Sequence, residues 1–168
     1  MTNNKSKIKT DFVSVVLFIL VIIWMAFIFI MSAQTAEDSL LASGKVSGLL
    51  TRIASGLYKG NIPAKVAEYL QNGFFIRKAG HIIEFFILGI LVYALLRRQG
   101  IRRAAMISVI ICVAYAASDE IHQMFVPERG PQVADVLIDG IASAAAVLLM
   151  WIPGRVSMRR SREISKAK

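Results

Sequence analysis

The chain has 168 residues, 56% of them hydrophobic, and its mean hydropathy is +0.59. That is too apolar for an ordinary soluble domain and implies several membrane spans. A formal net charge of +9 would suggest nucleic-acid binding in a soluble protein. Here the basic residues stand in blocks beside apolar runs, which reads as membrane topology and not as a nucleic-acid surface.

In chain order, a polar start with Lys5, Lys7 and Lys9 leads into an apolar run, Phe12 to Met31, broken only by Ser14. At about 1.5 Å per residue this run is about 30 Å long, the thickness of the hydrocarbon layer. It exceeds the 7–15 apolar residues usual in a signal peptide, so it reads as an uncleaved anchor despite Ala33 and Ala36 following it. Residues 33–77 form the longest stretch without a span. Leu40, Val46, Leu49, Leu50, Ile53 and Leu57 recur at roughly helical spacing there. Pro63 opens a second short helix carrying Val66, Ala67 and Leu70, with Gly73 as its stop. Both are expected to be amphipathic and to cap the bundle or lie on the membrane.

A second span is expected over about 79–96, followed by the basic turn Arg97-Arg98-Gln99-Gly100-Ile101-Arg102-Arg103. A third covers about 104–123, reaching membrane length only if helix continues through Gln123, with Pro127 and Gly130-Pro131 beyond it. The fourth covers about 132–152, with Pro153-Gly154 as its stop and a basic tail over 153–168. One side of this arrangement collects 13 of the 20 Lys and Arg residues, so the positive-inside rule places both termini in the cytoplasm of a multi-pass cell-membrane protein. The fold class is therefore an all-α integral membrane bundle of four transmembrane helices with short extracellular amphipathic helices, forming a single domain. Cys112, the single cysteine, is expected to be a buried structural thiol.

That topology brings the ionisable residues to one depth. Lys78 enters the second span first, with His81 and Glu84 about 4.5 and 9 Å further along. Asp119, Glu120 and Gln123 close the third span, Arg129 sits in the loop, and Asp135 and Asp139 open the fourth on one helix face. His122 cannot share a face with Gln123 and fits the group least. A carboxylate inside a span costs roughly 2.5–3.5 kcal/mol on insertion scales, so such residues mark partners, wet cavities or function. Three uses are open. Lys78, His81 and Arg129 suit an anionic headgroup, with the carboxylates orienting them. His81 among carboxylates suits acid–base chemistry near neutral pH. The third use is structural, with Asp135 and Asp139 bridging to Lys78 and Arg129 to fix helix packing. His81-x-x-Glu84 with Asp119, Glu120, Asp135 and Asp139 supplies donor atoms suited to a divalent cation, but the spacing matches no established metal motif, and no cofactor or metal is expected. Gly140 to Ala144, with Ala146, is a small-residue face for close helix packing.

The blocks Arg77-Lys78-Ala79-Gly80-His81-Ile82-Ile83-Glu84-Phe85, Ser118-Asp119-Glu120-Ile121-His122-Gln123-Met124-Phe125-Val126-Pro127, Arg129, and Asp135-Val136-Leu137-Ile138-Asp139-Gly140 resemble the VanZ-like family of bacterial membrane proteins. Ile30-Met31-Ser32-Ala33-Gln34 resembles its first block, and the likeness covers about residues 12–152. Lys78, His81, Glu84, Asp119, Glu120, Gln123, Arg129 and Asp135 match the family's polar positions. Asp139 stands where the family often has asparagine, and Phe85 where it often has tyrosine. The resemblance implies a link to glycopeptide resistance, chiefly to teicoplanin, and leaves enzyme and non-enzyme undivided. The implied partners are membrane lipids and a lipid-linked cell-wall precursor or glycopeptide at the outer leaflet. The alternatives are an intramembrane enzyme on a lipid-linked substrate and a structural or partner-binding subunit.

Overall fold

A computed structural model describes residues 11–127 and 132–166, and every regular element among them is a helix. In chain order these are α1 (Phe12–Ser32), α2 (Ala36–Leu57), α3 (Ala64–Gln71), α4 (Gly73–Arg98), α5 (Ala104–Gln123) and α6 (Val133–Lys166). Four of them are long and apolar enough to cross a membrane, over Phe12–Ser32, Phe75–Arg98, Ala104–Gln123 and Val133–Ile152. The protein is an all-α, multi-pass membrane bundle.

Asp11 starts α1 by accepting the Ser14 amide at 2.9 Å, which satisfies one of the open donors of the first turn. The rest of α1 is nearly uniformly apolar, and only Ser14, Val21, Ile28 and Ser32 are buried. Their spacing of seven, seven and four keeps them on one narrow stripe. Most of the remaining side chains of α1 are left for lipid. Helix α4 is the hub and packs against each of the other five, most extensively against α6. Phe85, Leu88 and Val92 of α4 join Val21, Ile28, Cys112, Ala116 and Ala142 in the main apolar core. Cys112 is fully buried there.

The α4–α6 crossing is close because small residues meet in it. A Cβ added to Gly89 would lie 2.8 Å from the Ser143 carbonyl oxygen and 3.2 Å from the Ala146 Cβ. The small-residue face expected from the sequence, with Ser143 and Ala146 buried on it, is thus the surface that receives Gly89. Helix α5 buries Ala104, Ser108, Cys112, Ala116 and Glu120 at four-residue intervals.

At the basic end, Arg98 reaches Asp11 with both Nε (3.2 Å to Oδ1) and Nη2. This guanidinium and the Ser14 amide hold the Asp11 carboxyl well below the usual carboxylate range. Gly100 turns the chain between α4 and α5 with φ of 74°, a left-handed conformation that suits glycine.

Two boundaries differ from expectation. Helix α4 begins at Gly73, so Lys78 lies more than a turn inside it and not at its start. Helix α6 does not stop at Pro153-Gly154 but runs to Lys166. Proline there removes one N–H, the donor to the Leu149 carbonyl, at about 3 kcal/mol in a helix interior. The residues beyond, rich in Arg and Lys, are good helix formers and carry the helix on.

Candidate functional site

At the end of the bundle away from the basic turn, four helices place polar side chains at one level. Ser32 comes from the last turn of α1, Lys78, His81 and Glu84 from the first half of α4, Asp119, Glu120 and Gln123 from the last turns of α5, and Asp135 and Asp139 from the first two turns of α6. Helix periodicity explains why they meet. Steps of four on α6 keep Asp135 and Asp139 on one face, opposed to Lys78 and His81 of α4, and the further step of three to Glu84 turns it toward α1 and α2.

Two rungs join α4 to α6. The first is an ion pair between Lys78 and Asp135, with Lys78 Nζ also 3.3 Å from Gln132 Oε1. One turn deeper, His81 Nδ1 lies 3.6 Å from Asp139 Oδ2. That is beyond hydrogen-bond length, and His81 Nδ1 and Asp139 Oδ1 are both buried without a hydrogen-bond partner. A second network joins α1 to α5. Ser32 Oγ donates to Asp119 Oδ2 at 2.9 Å, and Gln123 Nε2 donates to Ser32 Oγ at 2.8 Å and to Asp119 Oδ2 at 3.0 Å. Glu120 Oε2 accepts the backbone N–H of Gln132 at 2.7 Å, which ties the end of α5 to the start of α6. The second oxygens of Asp119 and Glu120 are buried and unpartnered.

Glu84 faces a different feature. Its carbonyl accepts Trp24 Nε1 at 2.9 Å, locking α1 to α4. Together with His81 and Arg77 it lines a cavity of about 140 Å³ between the end of α1, the first half of α2 and the start of α4. Ser32, Gln34 and Ser43 add polar groups to its wall, and Met31, Val46 and Ile76 add apolar ones. His81 and Ser32 therefore belong both to the buried networks and to the cavity wall.

Of the residues singled out from the sequence, Lys78, His81, Glu84, Asp119, Glu120, Gln123, Asp135 and Asp139 are brought to one end of the bundle. Arg129 lies outside the described residues. His122 points elsewhere and stacks on Phe29, with ring centroids 4.0 Å apart. Lys78 is committed to Asp135, so it is not an open anion site. Among the described residues, five carboxylates here stand with Arg77, Lys78 and His81, an acidic balance. Among the described residues, no three His, Cys, Asp or Glu side chains are grouped so as to hold a metal ion. Ser32, Gln132 and Trp24 were not singled out as site residues by sequence, whereas Arg77 stood out as an outer-side cation able to partner the carboxylates. The polar turn after the first apolar run was the available signal for Ser32. Gln132 and Trp24 carry none.

The profile of the VanZ/LLP1 family matches residues 17–154. The chain belongs to the VanZ-like family. The matched stretch contains both networks, all the cavity-lining residues and most of every span. Comparison with curated proteins and with solved structures returns no match. Family membership is thus reached through the sequence profile, and the chemistry has to be read from the arrangement itself.

Proposed function

We propose that this VanZ-like protein engages the polar head of an envelope lipid or lipid-linked cell-wall precursor at the outer leaflet of the cell membrane, with both termini cytoplasmic. The supporting observation is the cavity walled by Arg77, His81 and Glu84, set directly against the buried carboxylates. Arg77 supplies a cation at the wall, Glu84 an anion, and His81 a group able to donate or accept, backed by Asp139. Such a mixed wall suits a headgroup that carries both donors and acceptors.

Size narrows the ligand. The cavity of about 140 Å³ is partly open to its surroundings. A phosphate, an amine or a peptide terminus fits that space, and a whole glycopeptide would have to extend outside it. An effect on teicoplanin would then act through the lipid-linked precursor or the surrounding lipid, not through enclosure of the drug.

The test is teicoplanin susceptibility of a sensitive Gram-positive host carrying the wild type, His81→Ala or Glu84→Gln, with membrane abundance measured for each. Protection by the wild type, lost in variants that accumulate normally, is the expected result. Protection that falls only in proportion to abundance assigns these residues to the scaffold, and no protection by abundant wild type removes the glycopeptide link. The second reading, an enzyme acting on a lipid-linked substrate, is favoured by one feature: His81 stands on the cavity wall with the Asp139 carboxylate 3.6 Å from its Nδ1, the residue types of an acid–base pair although no hydrogen bond joins them. Turnover of a lipid-linked precursor by purified protein, abolished in His81→Ala, separates it from binding alone.

A further inference from the structure

Helix α2 is built inside out. Among its described side chains Ser43 and Ala54 are the buried ones, and Ser47, Thr51 and Ser55 are half-buried beside them. Ser47 Oγ donates to the Leu70 carbonyl of α3. Its large apolar residues point the other way. Val46, Leu49, Leu50, Ile53 and Leu57 fall at i, i+3, i+4, i+7 and i+11, a single arc, and each is between 38% and 78% exposed. A water-facing helix does not carry five large apolar side chains on one continuous arc.

Three observations say what covers that arc. Only three residues, 33–35, separate the last residue of the first span from the start of α2, so α2 begins within about 10–12 Å of the membrane. Among the described residues helix α2 packs against α3 and α4, and its apolar arc is left outside the bundle. Lys45 and Arg52 lie on the flank of the arc, and Lys59 and Lys65 follow, all exposed. Among the described side chains of 41–71 the only acid is Glu68. An apolar arc edged by cations is the pattern of a helix lying in the plane of a membrane with acidic lipids.

The arc also reaches the cavity. Val46 belongs to both: it is 46% exposed and it lines the cavity with Ala42 and Ser43 of the same helix. Met31 and Ile76 continue this apolar side of the wall. We infer that α2 is seated in the membrane interface and forms one jamb of a side entrance, through which the head of a membrane-anchored amphiphile passes from the lipid to His81 and Glu84. The inference rests on the reading of the cavity as a headgroup site, and it sets the ligand class: a molecule with its own lipid anchor, not a free sugar or peptide.

The full chain is reconstituted in vesicles of phosphatidylethanolamine and phosphatidylglycerol. Spin labels are placed singly at Leu49→Cys, Ile53→Cys and Arg52→Cys, with the fully buried Cys112 left in place. Labels at 49 and 53 are expected to collide with oxygen several-fold more than with a water-soluble nickel chelate, and the label at 52 the reverse. Equal access of the chelate to all three overturns the seating, and shielding of 49 and 53 from both reagents shows that protein, not lipid, covers the arc. In the same vesicles a photo-reactive side chain at Val46 is expected to form an adduct of one phospholipid mass. Gly80→Leu is expected to reduce that adduct at least tenfold, because Gly80 lines the cavity and an added Cβ there meets nothing within 4 Å. No lipid adduct at Val46, or an adduct that Gly80→Leu leaves unchanged, overturns the entrance. Neither readout uses drug susceptibility, so the entrance and the His81 phenotype fail or stand separately.

Discussion

Replacing Asp135 with leucine while keeping Lys78 strands a cation near the end of a membrane helix. Removing one partner of a buried ion pair costs roughly 3–5 kcal/mol, whereas replacing both partners with apolar residues is often neutral or stabilising. Two features of this site lower the first figure. The Lys78 and Asp135 side chains keep 12% and 9% of their surface exposed, and Lys78 retains Gln132 at 3.3 Å. A lysine stem one to two turns inside the span can also carry its ammonium toward the interface. The expected cost of Asp135→Leu is therefore about 2–3 kcal/mol, a 30- to 160-fold change in the unfolding constant at about 1.36 kcal/mol per decade. Lys78→Met alone leaves Asp135 without its cation and costs a similar amount. The double variant Lys78→Met/Asp135→Leu should return to within about 1 kcal/mol of the wild type. The assay is equilibrium unfolding of purified protein in mixed micelles, titrated with dodecyl sulfate and followed by loss of helical circular dichroism. A coupling energy under about 0.5 kcal/mol, the level at which separate sites simply add, would refute the reading of this pair as the clasp between α4 and α6.

Gly89→Ala should destabilise the same unfolding curve by about 1–3 kcal/mol, although alanine favours helix, because its Cβ meets the Ser143 backbone. Ser143→Gly should not rescue it, since the obstructing oxygen belongs to the main chain; a stabilised Gly89→Ala would show that the crossing relaxes freely. Gln123→Ala removes the donor shared by Ser32 and Asp119, and should cost about 1–3 kcal/mol in the same titration. Gln123→Glu should cost more, because it sets a further carboxylate against Asp119, and equal losses would argue against an electrostatic role for the amide.

The spans were legible because hydropathy over twenty residues needs no knowledge of partners. The meeting of Lys78, His81, Glu84, Asp119, Gln123, Asp135 and Asp139 was legible for a related reason: once four spans are placed, depth follows from residue number. Who pairs with whom was not. In the structural reading Asp135 and Asp139 bridge to Lys78 and Arg129; Lys78 pairs with Asp135, Arg129 lies outside the described residues, and the neighbour His81 of Asp139 was not foreseen, because rungs between facing helices follow rotation about the helix axis as well as depth. Ser32 finds Asp119 across 87 residues, and nothing local to either residue announces it. A helix over 39–57 was foreseen from periodicity, but the direction of its apolar face was not. Periodicity shows that a helix has two faces and is silent on which one meets protein. The continuation past Pro153 was misread because a rule for where helices prefer to stop was applied where only one hydrogen bond was at stake.

The pairing of Lys78 with Asp135 also has a consequence for biogenesis. The two residues are 57 positions apart, and a ribosome adding 5–20 residues per second delivers the second about 3–11 s after the first. During that interval α4 has left the ribosome with Lys78, His81 and Glu84 unmatched, each unfavourable in hydrocarbon by the standard of insertion scales. The helix that later forms the hub therefore enters the membrane before the partners of its polar face exist. Its release from the insertion machinery should wait for α6, so that α4, α5 and α6 partition together as a unit behind an α1 that needs no such help.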